Sequence, residues 1–115
     1  MLISPGPENL DDLHSKDLIP FFLKFIKTHT YFRTRNIAID YLLENTSITT
    51  QSEEYKKYRQ KLACQIGKLI SILKEVNLIE SSGTLSFKVK KGARNLNEYQ
   101  VLEYYNDYFI NRNFR

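Results

Sequence analysis

The sequence predicts one α+β domain that is mostly helical, and three observations lead to this expectation. Apolar residues recur at helical spacing from Tyr55 to Val76, as in a helix that buries one face. Leu85, Phe87 and Val89 then alternate with polar residues, which is the pattern of a strand with one buried face. The chain has 115 residues, of which 42% are hydrophobic, enough to form the core of one domain of ordinary size.

The chain is predicted to begin with a flexible arm, residues 1–14, followed by a helix from Asp17 to Thr28. Asp17 is the expected N-cap of this helix. Pro20 falls in the first turn, where its missing N–H costs nothing. The buried stripe of the helix is expected to consist of Leu18, Phe22, Phe25 and Ile26.

A short β-prone stretch, residues 31–33, separates this helix from a second one. The second helix is predicted over Arg35–Glu44, with Thr34 as its cap. Its inward face is expected to comprise Ile37, Ala38, Tyr41 and Leu42. A polar loop, residues 45–49, follows, with Ile48 as its apolar anchor.

The third helix has the strongest pattern in the chain, and a capping box formed by Thr50 and Glu53 is expected to start it. Asn77 is expected to end it, because asparagine tolerates the left-handed backbone conformation. The helix would then contain about 26 residues and extend ~39 Å, either continuously or with a break near Lys61. Its apolar stripe consists of Tyr55, Tyr58, Leu62, Ile66, Leu69, Leu73 and Val76.

A β-hairpin is predicted after the third helix, with strands at Leu78–Glu80 and Leu85–Lys90 and a turn at Ser81–Thr84. Period-two alternation assigns the residues of the second strand to two faces. Leu85, Phe87 and Val89 are expected inward, and Ser86, Lys88 and Lys90 outward.

Residues 95–115 are predicted to form a C-terminal helix for packing or dimerisation, capped by Asn95 and Glu98 and extending to about Asn111. Apolar side chains cover more than half of its circumference, so one face needs a cover beyond its own domain. A homodimer is the simplest source of that cover, and burial against the first helix of a monomer is the alternative. The expected dimer interface comprises Val101, Leu102, Tyr105 and Phe109.

Charge is unevenly distributed along the chain. The 17 Lys and Arg residues against 13 Asp and Glu give a net charge of +4. Residues 55–94 contain ten basic residues and two glutamates, a net charge of +8, so the remainder carries −4. Such asymmetry indicates either an anionic partner or a lysine-rich solvated surface, and charge alone does not decide between them.

The order helix, short strand, helix, helix, strand, turn, strand resembles that of the winged helix-turn-helix superfamily, over residues 17–91. Residues 63–80 are similar to a recognition helix that leads into the wing, with an asparagine stop and the apolar pair Leu78–Ile79. The segment 45–60 and the third helix are longer than is usual in that superfamily. The resemblance implies a winged-helix domain, residues 15–94, with an added C-terminal helix.

The resemblance further implies a non-enzymatic protein that binds duplex DNA, as a transcriptional regulator or accessory factor, through the third helix and the wing. Basic side chains neutralise phosphates, and Gln65 has the amide geometry to contact an adenine edge, with ordinary solvation as the alternative for Gln65. The expected contact residues are Lys56, Lys57, Arg59, Lys61, Gln65, Lys68, Lys88, Lys90, Lys91 and Arg94. The alternative function is a protein-interaction module within a replication, transcription or membrane-remodelling assembly.

The sequence indicates neither a catalytic site nor a metal site. Cys64 lies beside the apolar stripe and is interpreted as a small packing residue. Together with His14 and His29 it gives no metal-ligand spacing, so we expect no enzyme activity and no cofactor. A single cysteine, with neither a signal peptide nor an apolar run of ~20 residues, predicts a reducing, cytoplasmic location.

Overall fold

Four α-helices and three short strands, with short 3₁₀ and π turns, make up the computed structural model, which describes residues 13–110. Nearly all of the predicted arm and the end of the predicted last helix therefore lie outside the described residues. The helices and strands are α1 Ile19–Thr28, β1 Tyr31–Phe32, α2 Thr34–Asn45, α3 Tyr55–Glu75, β2 Ile79–Ser81, β3 Phe87–Val89 and α4 Glu98–Tyr105. This architecture confirms the mostly helical α+β class.

The first helix begins later than its sequence pattern predicts. α1 begins at Ile19 and is preceded by a 3₁₀ turn, Ser15–Leu18. Asp17 does not cap α1; its Oδ2 accepts a hydrogen bond from the His14 N–H at 2.9 Å and stabilises the 3₁₀ turn. Pro20 lies in the first turn of α1, as predicted. The predicted stripe of Leu18, Phe22, Phe25 and Ile26 is buried.

Two predicted helix caps are wrong. Thr34 is the first residue of α2, and Arg33 occupies the N-cap position. α3 begins at Tyr55, so Thr50 and Glu53 precede the helix and do not form its capping box. Two hydroxyls accept backbone N–H groups in the turn before the helix: Ser52 accepts from the Thr49 N–H at 3.0 Å, and Thr49 accepts from the Gln51 N–H at 3.2 Å. The predicted inward residues of α2, Ile37, Ala38, Tyr41 and Leu42, are buried.

α3 is one continuous helix of 21 residues, with no break near Lys61. It ends as predicted, because Asn77 adopts a φ of 65°. The Leu78 N–H donates to the Leu73 carbonyl at 2.8 Å and the Asn77 N–H donates to the Lys74 carbonyl at 3.0 Å. These two bonds satisfy carbonyl groups at the end of the helix, in the arrangement known as a Schellman motif.

The strands form one antiparallel sheet in the order β1-β3-β2. On the face towards the core, Phe87 lies opposite Phe32 and Val89 lies opposite Ile79. The predicted hairpin is confirmed, but Leu85 does not point inward. It is 74% exposed, with a φ of 60°, because it belongs to a loop closed by the Ser82 N–H and the Ser86 carbonyl rather than to the strand.

The last helix packs against both α1 and α3. It begins two residues later than predicted: Asn95 lies in a 3₁₀ turn, and Asn97 forms the capping box with Gln100 through bonds of 2.9 and 3.0 Å. A π-helical turn, residues 106–110, continues α4. Val101 is fully buried within this chain, so its predicted place in a dimer interface is wrong.

Candidate nucleic-acid interface

α3 presents a ridge of exposed polar side chains on the side away from the core. No Asp or Glu occurs from Tyr55 to Lys74. Residues three or four positions apart lie on one face of a helix. The exposed residues that share this face, hereafter the ridge, are Lys57, Gln60, Cys64, Lys68 and Ser71. Cys64 is exposed and is not the packing residue that the sequence predicts. Lys56 is also exposed, beside the ridge.

Arg59 and Lys61, two further predicted contacts, are half-buried on the flanks of α3. The Arg59 guanidinium carbon lies 5.6 Å from the centre of the Tyr55 ring, and Lys57 Nζ lies 5.0 Å from the centre of the Tyr58 ring. Tyr58 is buried and Tyr55 is half-buried. The tyrosines therefore belong to the packing of α3, and the cations cover their rings.

Gln65 is not on the ridge, contrary to its predicted role. The buried Ser15 hydroxyl lies 2.9 Å from Gln65 Oε1 and 2.8 Å from the Gln65 carbonyl oxygen, and both oxygens are positioned to accept its hydrogen bond. The side chain thereby joins the 3₁₀ turn before α1 to the middle of α3. Gln65 serves tertiary packing, and its amide oxygen is not available to an adenine edge.

The lysines of the hairpin do not share a face with the ridge. Phe87 faces α3, with Lys74 Nζ 5.7 Å from its ring centre. Its neighbour Lys88 therefore lies on the opposite face of the sheet, where its Nζ is 5.9 Å from the centre of the Tyr31 ring. Lys90 donates to Asn77 Oδ1 at 2.6 Å and lies 3.5 Å from a carboxylate oxygen of Glu80. The basic side chains of α3 and those of the hairpin therefore do not form the single surface that the sequence predicts.

Arg94 is engaged within the fold. Its guanidinium donates to the Lys27 carbonyl at 3.0 Å and to the Thr30 hydroxyl at 2.7 Å. These bonds join the 3₁₀ turn Lys91–Asn95 to the end of α1. Arg94 is thus a clamp between two segments, whereas Lys91 beside it is exposed.

A cleft of about 340 Å³, which no pattern in the sequence indicates, lies between the start of α2, α3 and the hairpin. Its lining consists of Arg33, Thr34, Arg35, Ala63, Leu85 and Phe87. The two arginines are exposed at the end of α2 where backbone N–H groups lack helical partners. Both arginines precede the basic segment 55–94. The feature of the sequence that indicates them is their position on either side of Thr34, the first residue of α2.

α4 and the turn that continues it carry acidic side chains and no basic ones. Glu98, Glu103 and Asp107 are exposed on α4 and its continuation, and no Lys or Arg occurs from Glu98 to Ile110. The molecule therefore has a basic helix, α3, and an acidic one, α4. An approaching polyanion is attracted to the first and repelled by the second.

Within residues 13–110, no three His, Cys, Asp or Glu side chains converge as metal ligands do. Over the same range, no helix combines the length and apolar character required to cross a bilayer. Comparisons of the chain with protein-family models, with curated proteins and with solved structures found no significant match.

Proposed function

We propose that this protein is a winged-helix domain that binds duplex DNA through the ridge of α3 and the neighbouring cleft. The order of elements, with a hairpin directly after the longest helix, supports the winged-helix interpretation. α3 remains the expected contact element, as the sequence predicts. Among the expected DNA contacts, Arg33 and Arg35 take the place of Gln65, Arg94 and the hairpin lysines.

The observation that carries this proposal is the ridge itself. A helix of 21 residues is about 32 Å long at 1.5 Å per residue, and its width of roughly 10–12 Å suits the major groove of DNA. Lys57 and Lys68 lie towards the two ends of the ridge. Between them the ridge carries Gln60 and the small Cys64. No carboxylate lies between the two lysines, so phosphates can approach closely.

The cleft extends this surface. Ala63 lines the cleft and its neighbour Cys64 lies on the ridge, so the two are adjacent. Arg33 and Arg35 are therefore placed for one strand of a backbone while the ridge enters the groove. Arginine suits that role because its planar guanidinium donates two parallel hydrogen bonds to one phosphate.

The test is a salt titration of binding to a random 30-base-pair duplex, followed by fluorescence anisotropy. Non-specific binding of this kind has a Kd of about 1–100 μM at physiological salt, and log K falls by ~0.9 per phosphate contact for each unit of log salt. Replacing Lys57 and Lys68 with serine should reduce the slope by up to ~1.8. Replacing Arg33 and Arg35 should have the same effect.

The matched control is the pair Lys88→Ser and Lys91→Ser, which removes the same charge outside the ridge and the cleft. It should leave the slope close to that of the unmodified protein. A control that flattens the slope while the ridge and cleft variants do not would show that the hairpin or the 3₁₀ turn after it makes the contact. Absence of binding to any duplex at low salt would refute the proposal altogether.

One observation favours a protein-interaction module as the second candidate. Leu85 is 74% exposed and has a φ of 60°, and such costly conformations concentrate at functional sites. With Phe87 and Ala63 it gives the cleft an apolar wall. If the duplex titration is negative, this wall becomes the expected contact with a protein partner.

A further inference from the structure

A groove between α1 and α4 forms a second surface, and no residue of the ridge or the cleft contributes to it. Two cavities of about 630 and 290 Å³ follow one another along it and share Pro20 and Glu98 as walls. The groove is therefore continuous along α4 from its first residue towards Asn106.

The α4 side of this groove carries apolar side chains in contact with water. Tyr99 is 81% exposed and Leu102, three positions later on the same face, is 37% exposed. Tyr105 and Phe109, which the sequence assigned to a dimer interface, lie in an aromatic cluster with ring centres 5.0 Å apart and are half-buried. The apolar surface left for a partner within the groove is thus at Tyr99 and Leu102.

The two walls of the groove carry opposite charges. Lys24 and Lys27 line it from α1, Lys16 lines it from the turn before α1, and Glu98 lines it from α4. Neither Lys24 nor Glu98 forms an ion pair with another residue in the range 13–110. Both charges are therefore available to an approaching molecule.

We propose that this groove is the contact surface of a two-fold homodimer, in which Tyr99 of each protomer enters the groove of the other and Lys24 of each faces Glu98 of the other. In a two-fold interface every contact between residues i and j occurs twice, once in each direction. A surface with cations on one wall, a carboxylate on the other and an aromatic side chain beside them is complementary to its own two-fold image. A strongly acidic or basic partner would meet a repelling wall.

Sedimentation velocity over about 5–200 μM, without nucleic acid, tests the proposal independently of DNA binding. The unmodified protein should sediment as a dimer. Lys24→Glu and Glu98→Lys should each give monomers, with the dimer Kd raised on the order of 100-fold, because each places two like-charge pairs across the interface. Lys91→Glu, an equal change on an exposed lysine outside the groove, should leave the dimer intact.

Mixing the two variants gives the sharpest result. In a heterodimer of Lys24→Glu with Glu98→Lys, both contacts again join opposite charges, so an equimolar mixture should recover the dimer that neither variant forms alone. A monomeric unmodified protein overturns the proposal. So does a dimer that persists in both variants, because the interface then lies elsewhere. Circular dichroism of each variant shows whether the protein is still folded when the dimer is lost.

Discussion

Asn77 connects the end of α3 to the hairpin in two ways, and substitutions at this position separate them. Its backbone has a φ of 65°, and its Oδ1 accepts the hydrogen bond from Lys90 Nζ at 2.6 Å. Asn77→Ala removes the bond and puts a residue with a poor left-handed preference at this φ. Asn77→Gly removes the same bond but suits the conformation.

The structure gives the two variants different magnitudes. The left-handed region costs an ordinary L-residue roughly 1–2 kcal/mol, whereas a bond between exposed groups contributes no more than about 0.5–1 kcal/mol. We therefore expect Asn77→Ala, which incurs both costs, to lower the free energy of unfolding by about 1–3 kcal/mol. Asn77→Gly should stay within about 0.5 kcal/mol of the unmodified protein, because its easier backbone offsets the lost bond.

Urea unfolding followed by circular dichroism at 222 nm measures this difference. In a domain of this size, 1 kcal/mol corresponds to a Tm shift of about 4 °C, so the two variants are also separable by heating. Equal losses in both variants would refute the conformational argument and assign the effect to the bond with Lys90. No loss in either would mean that the end of α3 is not held at Asn77.

The Arg94 clamp should stabilise the fold without serving DNA: Arg94→Ala should cost about 1–3 kcal/mol in urea unfolding, as expected for bonds from a charged donor, and leave the salt slope of DNA binding unchanged. Val89→Ala should cost about 2–3 kcal/mol, because Val89 is buried, and Lys88→Ala at most about 1 kcal/mol; equal thermal shifts would contradict the strand register. Burial raises the pKa of Tyr41, and the negative charge of Asp17 raises it further. A raised folded pKa contributes stability that is present below the unfolded value of ~10 and is lost as pH rises through the folded value. The urea midpoint should therefore decrease as the pH rises above about 10, and this decrease should be smaller in Tyr41→Phe.

The helices and the sheet were predictable because each depends on a periodic pattern within one segment. The stripe of α3 and the left-handed residue Asn77 needed no knowledge of the rest of the molecule. The loop around Leu85 was not predictable in the same way. Apolar and polar residues alternate through Leu85, but a turn that begins at Ser82 takes this residue out of the strand. The alternation of side chains does not indicate where strand pairing stops.

The candidate site was less predictable, because a charge count does not show which charges are engaged. Gln65 and Arg94 look solvated in the sequence, yet their partners Ser15 and Thr30 come from distant segments. Arg33 and Arg35 were missed for the opposite reason. They lie far from the basic segment in sequence, and only the fold brings them next to α3.

The pairing of β1 with β3 has a consequence for the order in which the protein folds. During synthesis, β1 emerges early, but its partner Lys88 emerges only after all of α2 and α3. Helix packing between α2 and α3 is local in sequence and can precede the sheet, whereas closing the long loop to β1 is entropically costly and slow. The two-residue edge strand should therefore be the last part to gain protection from amide hydrogen exchange, and the first to lose it in the native state.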